Sequence, residues 1–367
     1  MRIVFLTSSL GSGGAERVAS TLCNAWSERG DRVTLVPTFS GGGQPFYELS
    51  ENVELIFLAD VVGIKRKNVW SYAQRLAALR RLIVERSPDV IVSFLSNVNV
   101  AAVVSSAFLR IPVIICERND PAGRLQTGAL AVLCKLTYRF ADMLTVQTES
   151  GINRVADIYP GLNRLRSVPN PLPAAIADIR AKHDSHRKIL LSLGRLMPQK
   201  QVDKLLRAFS EVAPHFPDWD LHIYGDGPLK PALEKQIQEL GLVARAYLKG
   251  STNAPWDIMA RADVFAMTSK FEGFPNALLE AMGIGLPCVV FDCPSGPREI
   301  SQNGNDALLV PLDDHEGLVL ALRRLMENEE LRCLLGEQAR ASVFKRFGLP
   351  EVVSRWDHLF KEVGAIQ

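Results

Sequence analysis

The chain has 367 residues, 47% of them apolar and 22% charged, with a formal net charge of +2. This excludes an acidic solvating chain, a low-complexity segment and an overall nucleic-acid binder, and the length calls for two globular domains. The charge is uneven, +5 over residues 1–170 and −3 over the rest, so an anionic partner is expected at the first half. Six cysteines lie far apart, Cys288 and Cys293 being the nearest pair, and fit neither a zinc framework nor a disulfide scaffold; reduced thiols of a cytosolic protein are expected. The apolar run 3–6 is too short for a secretory signal, and no stretch reaches the ~18 apolar residues of a membrane span.

Short apolar runs over 2–7, 32–36, 53–58, 89–94, 112–116 and 143–148 read as strands, with helical periodicity between them at 15–28 and 69–86. Pro169, Pro171 and Pro173 then interrupt any helix or central strand, which places a linker at 169–187. The alternation restarts with strands over 188–193, 219–224, 246–249, 264–267, 288–291 and 307–310. Val202, Leu205, Leu206 and Phe209 fall on one helical face. The tail over 318–363 reads as helix broken near Gly348. Strands alternating with helices imply parallel sheets covered on both faces. The fold class is therefore α/β: two doubly wound, Rossmann-like domains at 1–168 and 188–345, with a cleft between them and a terminal helix at 346–367.

Four stretches carry chemical content. Gly11-Ser12-Gly13-Gly14 follows the first strand and opens a helix, where free N–H groups and partial positive charge can meet a ligand. It lacks the third glycine of the dinucleotide fingerprint, which disfavours a nicotinamide cofactor. Arg195 and Lys200, five apart in the loop after the first strand of the second domain, can converge on one polyanion. Glu272 and Glu280 flank a turn, Phe274-Pro275-Asn276-Ala277, whose amides can hold phosphate at a helix start. Gly225, in the turn Gly225-Asp226-Gly227-Pro228, can admit a nucleotide to a sheet edge. Each stretch alone also has a bland reading as a tight turn or a solvated loop.

In combination and order, G-G-A-E-R, G-R-x4-K, G-x-G-P and E-G-F-P-N-A-x2-E-A-M resemble the retaining GT-B glycosyltransferases of family 4, over almost the whole chain. The resemblance implies a donor diphosphate bound by Arg195 and Lys200, a donor sugar touched by Glu272, and ribose hydroxyls held by Glu280. It further implies amides of Phe274, Pro275, Asn276 and Ala277 around sugar and phosphate, Gly13 and Gly14 facing the diphosphate, Gly225 at the nucleotide, and Asn253 with its neighbours 248–253 at the base. No cofactor and no metal is expected, since preorganised cations at the leaving group lower the barrier. The string Asp218-Trp219-Asp220 matches the D-x-D of metal-dependent transferases but lies away from any phosphate element, and reads as turn chemistry. Many family members carry a His after the strand at 112–116, where this chain has Glu117-Arg118-Asn119; Glu117 and Asn119 are candidates for an acceptor contact.

Residues 65–86 hold seven Lys or Arg against Glu85, with Trp70, Tyr72, Leu76, Leu79 and Ile83 as an apolar stripe. A basic amphipathic helix of this kind reads either as core-packed with a solvated face or as membrane-binding. The resemblance favours the latter, with Arg75, Arg80 and Arg81 on anionic lipid or an acceptor diphosphate. The expectation is a transferase moving a hexose or N-acetylhexosamine, GalNAc or Gal first, from a UDP-sugar to a lipid-linked glycan at the inner face of the plasma membrane. A nucleotide-sugar epimerase and a non-catalytic saccharide-binding protein are the alternatives.

Overall fold

The structure, a computed structural model, describes residues 1–63, 69–118, 128–181 and 187–366, with the backbone alone at 69 and 70. It divides into two compact units, Met1–Pro171 with Leu349–Gln367, and Leu172–Gly348. The first is built on seven parallel strands: β1 (Arg2–Thr7), β2 (Arg32–Pro37), β3 (Glu54–Leu55), β4 (Val90–Phe94), β5 (Val113–Cys116), β6 (Met143–Val146) and β7 (Leu165–Ser167). Their order is β3-β2-β1-β4-β5-β6-β7, so the winding reverses between β1 and β4. Successive strand residues serve opposite faces: Ile3 and Phe5 enter one buried cluster, Val4 and Leu6 the other. A sheet covered on both sides needs such unbroken apolar strands.

The second unit repeats this plan with β8 (Lys188–Leu193), β9 (Trp219–Tyr224), β10 (Ala246–Gly250), β11 (Val264–Met267), β12 (Cys288–Asp292) and β13 (Leu308–Pro311). The order β10-β9-β8-β11-β12-β13 reverses between β8 and β11. Both units are thus doubly wound α/β sheets, and ligands of such sheets bind beyond the carboxyl ends of the strands where the winding reverses.

The helix Leu349–Glu362 belongs to the first unit. Trp356 is fully buried and meets Trp26 edge-on at 5.7 Å; Phe360 lies 5.5 Å from the same ring. Truncating an aromatic packed like this costs about 3–5 kcal/mol. Arg29 fixes the helix from outside through both Asp357 oxygens, at 2.7 and 2.8 Å.

Some elements differ from the sequence reading. The strand expected over 53–58 shrinks to two residues, because Phe57 starts the helix Leu58–Val62, which Gly63 ends at φ +67°. β7, too short and too polar to show a period, was not expected. The tail divides also at Asn328, whose Oδ1 accepts the Leu331 N–H at 2.8 Å and caps the helix Glu329–Phe347. Asp220 is no turn residue: it is the second residue of β9, and its carboxylate is paired with Arg187 at 2.5 Å and Arg245 at 3.3 Å.

From Tyr72 to Ile83 the helix Val69–Arg86 turns its apolar stripe toward the protein; the side chain of Trp70, also expected in that stripe, lies outside the described residues. Leu79 and Ile83 are fully buried in the core beside β1 and β4, Leu76 packs against them, and Tyr72 stacks on Phe39. Arg75 donates to the Thr38 carbonyl at 3.1 Å, and Arg80 to the carbonyls of Ser105 and Ala107 at 3.0 and 2.8 Å; Arg81 is exposed. Of the basic face expected of Arg75, Arg80 and Arg81, Arg81 is exposed, and the other two are half-buried with backbone carbonyls as partners. The rest of that expected basic run, Lys65 to Lys67, lies outside the described residues. Among the described residues no helix is long and apolar enough to cross a membrane.

Candidate active site

In the second unit the loops after β8 and β11 stand side by side, because these strands are neighbours at the reversal of the winding. Four sets of contacts join them. The Lys270 N–H donates to the Gln199 carbonyl at 2.8 Å, and Gln199 Nε2 to the Phe271 carbonyl at 2.7 Å. Thr268 Oγ1 lies 3.0 Å from the carbonyls of both Lys200 and Gln201. Lys200 Nζ lies 2.6 Å from Glu272 Oε1, with both side chains largely buried. Arg195, in the same loop, is exposed and makes no side-chain hydrogen bond or ion pair to the described residues.

A third loop closes on these two. The Gly194 N–H donates to the Tyr224 carbonyl at 3.0 Å, and the Leu196 N–H to that of Asp226 at 2.8 Å. Gly225 has φ +145°, and a Cβ there would lie 1.9 Å from the Gly194 carbonyl oxygen. Only glycine allows this approach. Next to the site, burial and the Glu272 charge push the Cys293 thiol up to about 12, so it stays protonated.

The helix Asn276–Ile284 begins in the loop after β11. Pro275 caps it and has no N–H, so of the four amides expected in this turn only those of Phe274, Asn276 and Ala277 can donate; the Pro275 carbonyl accepts from Leu278 and Leu279 at 3.1 Å each. Phe274 anchors the turn from below, edge-on to Phe347 at 5.5 Å. Glu280 is 2% exposed, and its Oε2 accepts from Trp256 Nε1 at 2.9 Å. It is a buried carboxylate held in place. Asn253 is exposed, two residues before the helix Pro255–Ala260 that carries Trp256.

In the first unit Gly13 caps the helix Gly14–Glu28, and both glycines are exposed. Glu16 folds back over Gly13, where a Cβ would meet its carboxylate at 2.2 Å, and Ser9 Oγ donates to it at 2.8 Å. A carboxylate in the first turn complements the helix dipole. Glu117 was expected to face an acceptor but is turned inward. Tyr138 donates to its Oε1 and Ser96 to its Oε2 at 3.0 Å, and Asn99 joins the network through Tyr138 at 3.2 Å. Burial raises the Glu117 carboxyl above the usual range, although the hydrogen bonds from Tyr138, Ser96 and Asn99 pull it down. Asn119 lies outside the described residues.

Sequence reasoning missed Trp256, Gln199 and Thr268, which position the expected residues. It also missed the Asn99–Tyr138 network, although a lone Asn within the apolar stretch 98–103 is a signal that a core position has a polar duty. Among the described residues no group of three or more His, Cys, Asp or Glu side chains is placed to hold a metal ion.

Residues 12–175 match the family described as Glycosyltransferase Family 4, and residues 176–342 the one described as Glycosyl transferases group 1. A Streptomyces coelicolor protein named exopolysaccharide phosphotransferase SCO2592 is 30% identical over 391 residues, which take in 99% of this chain but only 41% of that protein. The chain thus spans less than half the length of this relative. A Campylobacter jejuni protein is 27% identical over 369 residues, 99% of each chain; it is named GalNAc-alpha-(1->4)-GalNAc-alpha-(1->3)-diNAcBac-PP-undecaprenol alpha-1,4-N-acetyl-D-galactosaminyltransferase. Among solved structures, Anabaena Alr3699/HepE in complex with UDP aligns with a TM-score of 0.79 at 18% identity, over 99% of this chain and 100% of that one.

Two doubly wound sheets, matched in succession by two glycosyltransferase families, are those of a glycosyltransferase of the GT-B fold. With its first unit matched as family 4 and its second as group 1, the chain belongs to the family 4 glycosyltransferases.

Proposed function

We propose that this enzyme moves a hexose or N-acetylhexosamine, GalNAc or Gal first, from a UDP-sugar to a polyprenyl-diphosphate-linked saccharide or a similar surface-glycan acceptor, with retention of configuration and without a metal. The observation that carries this reading is the Lys200–Glu272 pair beside Arg195, exposed and without a side-chain partner among the described residues, at the carboxyl ends of β8 and β11. The names of the Campylobacter relative and of the UDP-bound Anabaena structure support the choice of acceptor and nucleotide.

In this reading Arg195 and Lys200 bind the diphosphate and neutralise the charge that grows as the C1–phosphate bond breaks. The acceptor hydroxyl oxygen bonds to C1 on the face the phosphate leaves, and its proton passes to the departing phosphate oxygen. Glu272 orients the Lys200 ammonium and the sugar hydroxyls rather than forming a glycosyl ester. Glu280, fixed by Trp256, takes the ribose hydroxyls, and Asn253 the base. Gly13 and Gly14 offer backbone to the diphosphate, and Gly225 leaves the nucleotide room at the sheet edge. A lipid-linked acceptor draws the enzyme to the cytoplasmic face of a membrane, where Arg81 is an exposed cation for anionic lipid.

The test is nucleotide release from a panel of UDP-, GDP- and ADP-sugars, with EDTA present, with and without a short-chain polyprenyl-diphosphate saccharide. Release from one UDP-sugar that rises with the acceptor is the expected result, and an α-linked product from an α-donor establishes retention. Release that needs added metal, or a donor epimerised without transfer, overturns the reading.

A further inference from the structure

The residue that follows Glu117 holds chemistry that the donor site does not use. Arg118 is 7% exposed, and its guanidinium lies 3.7 Å over the Phe94 ring at the end of β4. Nη1 donates to Asn170 Oδ1 at 2.9 Å, and the same oxygen accepts from Gln147 Nε2 at 2.9 Å. The cation is therefore locked by a stacked ring on one side and a tethered amide at one nitrogen.

Its remaining nitrogens, Nε and Nη2, are both buried and have no hydrogen-bond partner among the described residues. These two share one edge of the guanidinium, the fork that meets two oxygens of a single carboxylate or phosphate side by side. A buried polar group left unpaired costs about 1–3 kcal/mol, and more when charged. Two on one edge of one immobilised cation ask for a reason.

Among the described residues no counter-charge answers it. Glu117 points to the opposite face of the sheet, where Tyr138 and Ser96 hold both its oxygens. The neighbouring Cys116 is pushed up to about 11 by burial, so it offers a neutral thiol and not a thiolate. Arg118 itself is lowered by burial, but only to about 10, and it remains charged at neutral pH.

We propose that the Nε–Nη2 fork of Arg118 binds an oxyanion of the acceptor, at the carboxyl ends of β4 and β5. The chemistry fits either a diphosphate or a sugar carboxylate. This rests on the reading of the chain as a transferase with a glycan acceptor. It assigns the anion to a residue that the basic helix Val69–Arg86 does not contain.

Calorimetry on the full chain tests it, with wild type, Arg118→Lys and Arg118→Gln. UDP is titrated first. Inorganic pyrophosphate and glucuronate are then titrated separately at saturating UDP, so that the donor site is closed to them. One of the two is expected to bind wild type, tenfold or more weaker to Arg118→Gln and intermediate to Arg118→Lys, which keeps the charge and loses the fork. Pyrophosphate as that probe points to the diphosphate, glucuronate to a carboxylated sugar. UDP affinity is expected to be equal in all three proteins. The proposal is overturned if wild type binds neither probe, if the variants bind as well as wild type, or if UDP and probe affinity fall together, which marks a purely structural arginine. Failure of wild type to bind UDP sinks the nucleotide-sugar reading instead, and the two probe titrations still decide whether the fork takes an oxyanion.

Discussion

Lys200 and Glu272 lie 72 positions apart in the chain, and their side chains close to 2.6 Å across two neighbouring strand ends. The pair is largely buried, so neither charge can be removed without stranding the other. Lys200→Ala is expected to lower kcat for sugar transfer by about 10²–10³-fold, the range for losing one preorganised donor at a developing charge. Steady-state nucleotide release checks this. A change confined to KM would place Lys200 in ground-state binding alone.

The buried Glu280 carboxylate accepts from Trp256 Nε1 at 2.9 Å. Trp256→Phe keeps the ring and removes the N–H. Leaving a buried acceptor short of a donor costs about 1–3 kcal/mol, so UDP binding should weaken roughly 5- to 150-fold if Glu280 holds the ribose. Titration of UDP against the variant measures it, with melting temperature as the control for folding.

Gly225→Ala puts a methyl 1.9 Å from the Gly194 carbonyl at a φ of +145°. Overpacking of this kind costs about 1–3 kcal/mol. The expected outcome is a lower melting temperature and weaker UDP binding together, because the displaced loop is the one that carries Arg195.

Glu117 gives a dependence on pH. Its carboxyl is raised by burial, so over the interval above the ordinary carboxylate value the folded protein keeps a proton that the unfolded chain has released. Its contribution to stability is full below that ordinary value and is lost as pH rises through the folded value. Glu117→Gln, which cannot ionise and still accepts from Tyr138, should be less sensitive to rising pH than wild type. Denaturant midpoints compared from acid to neutral pH decide it, and parallel curves would mean that Glu117 does not titrate there.

The two sheets were legible because buried parallel strands leave unbroken apolar runs such as Ile3 to Leu6, and because helices between them keep their period. The residues on the strand-end loops were legible through their motifs, Arg195 with Lys200 and Glu272 with Glu280. Their supports were not: Trp256 reaches Glu280 from 24 positions away, and nothing local to either marks the contact. The partners of the basic run were hidden for the same reason. Its charges are visible in sequence, but the carbonyls of Ser105 and Ala107 that occupy Arg80 lie at the end of another helix, Ser96–Ser106. Glu117 and Arg118 are adjacent, and only the strand geometry tells which one is satisfied and which has donors to spare.

The chain passes from the first unit to the second at Leu172 and back at Gly348, and these crossings touch: the Leu172 N–H donates to the Phe347 carbonyl at 2.7 Å, and Leu172 bridges Gly348. The second unit is therefore an insertion whose two ends meet each other. A fragment ending at Pro171 strips Trp26 of Trp356 and Phe360, whereas excision of 172–348 with a short turn in its place keeps them. The first unit can then be prepared as one polypeptide, and ligand affinities measured on the two units as separate molecules.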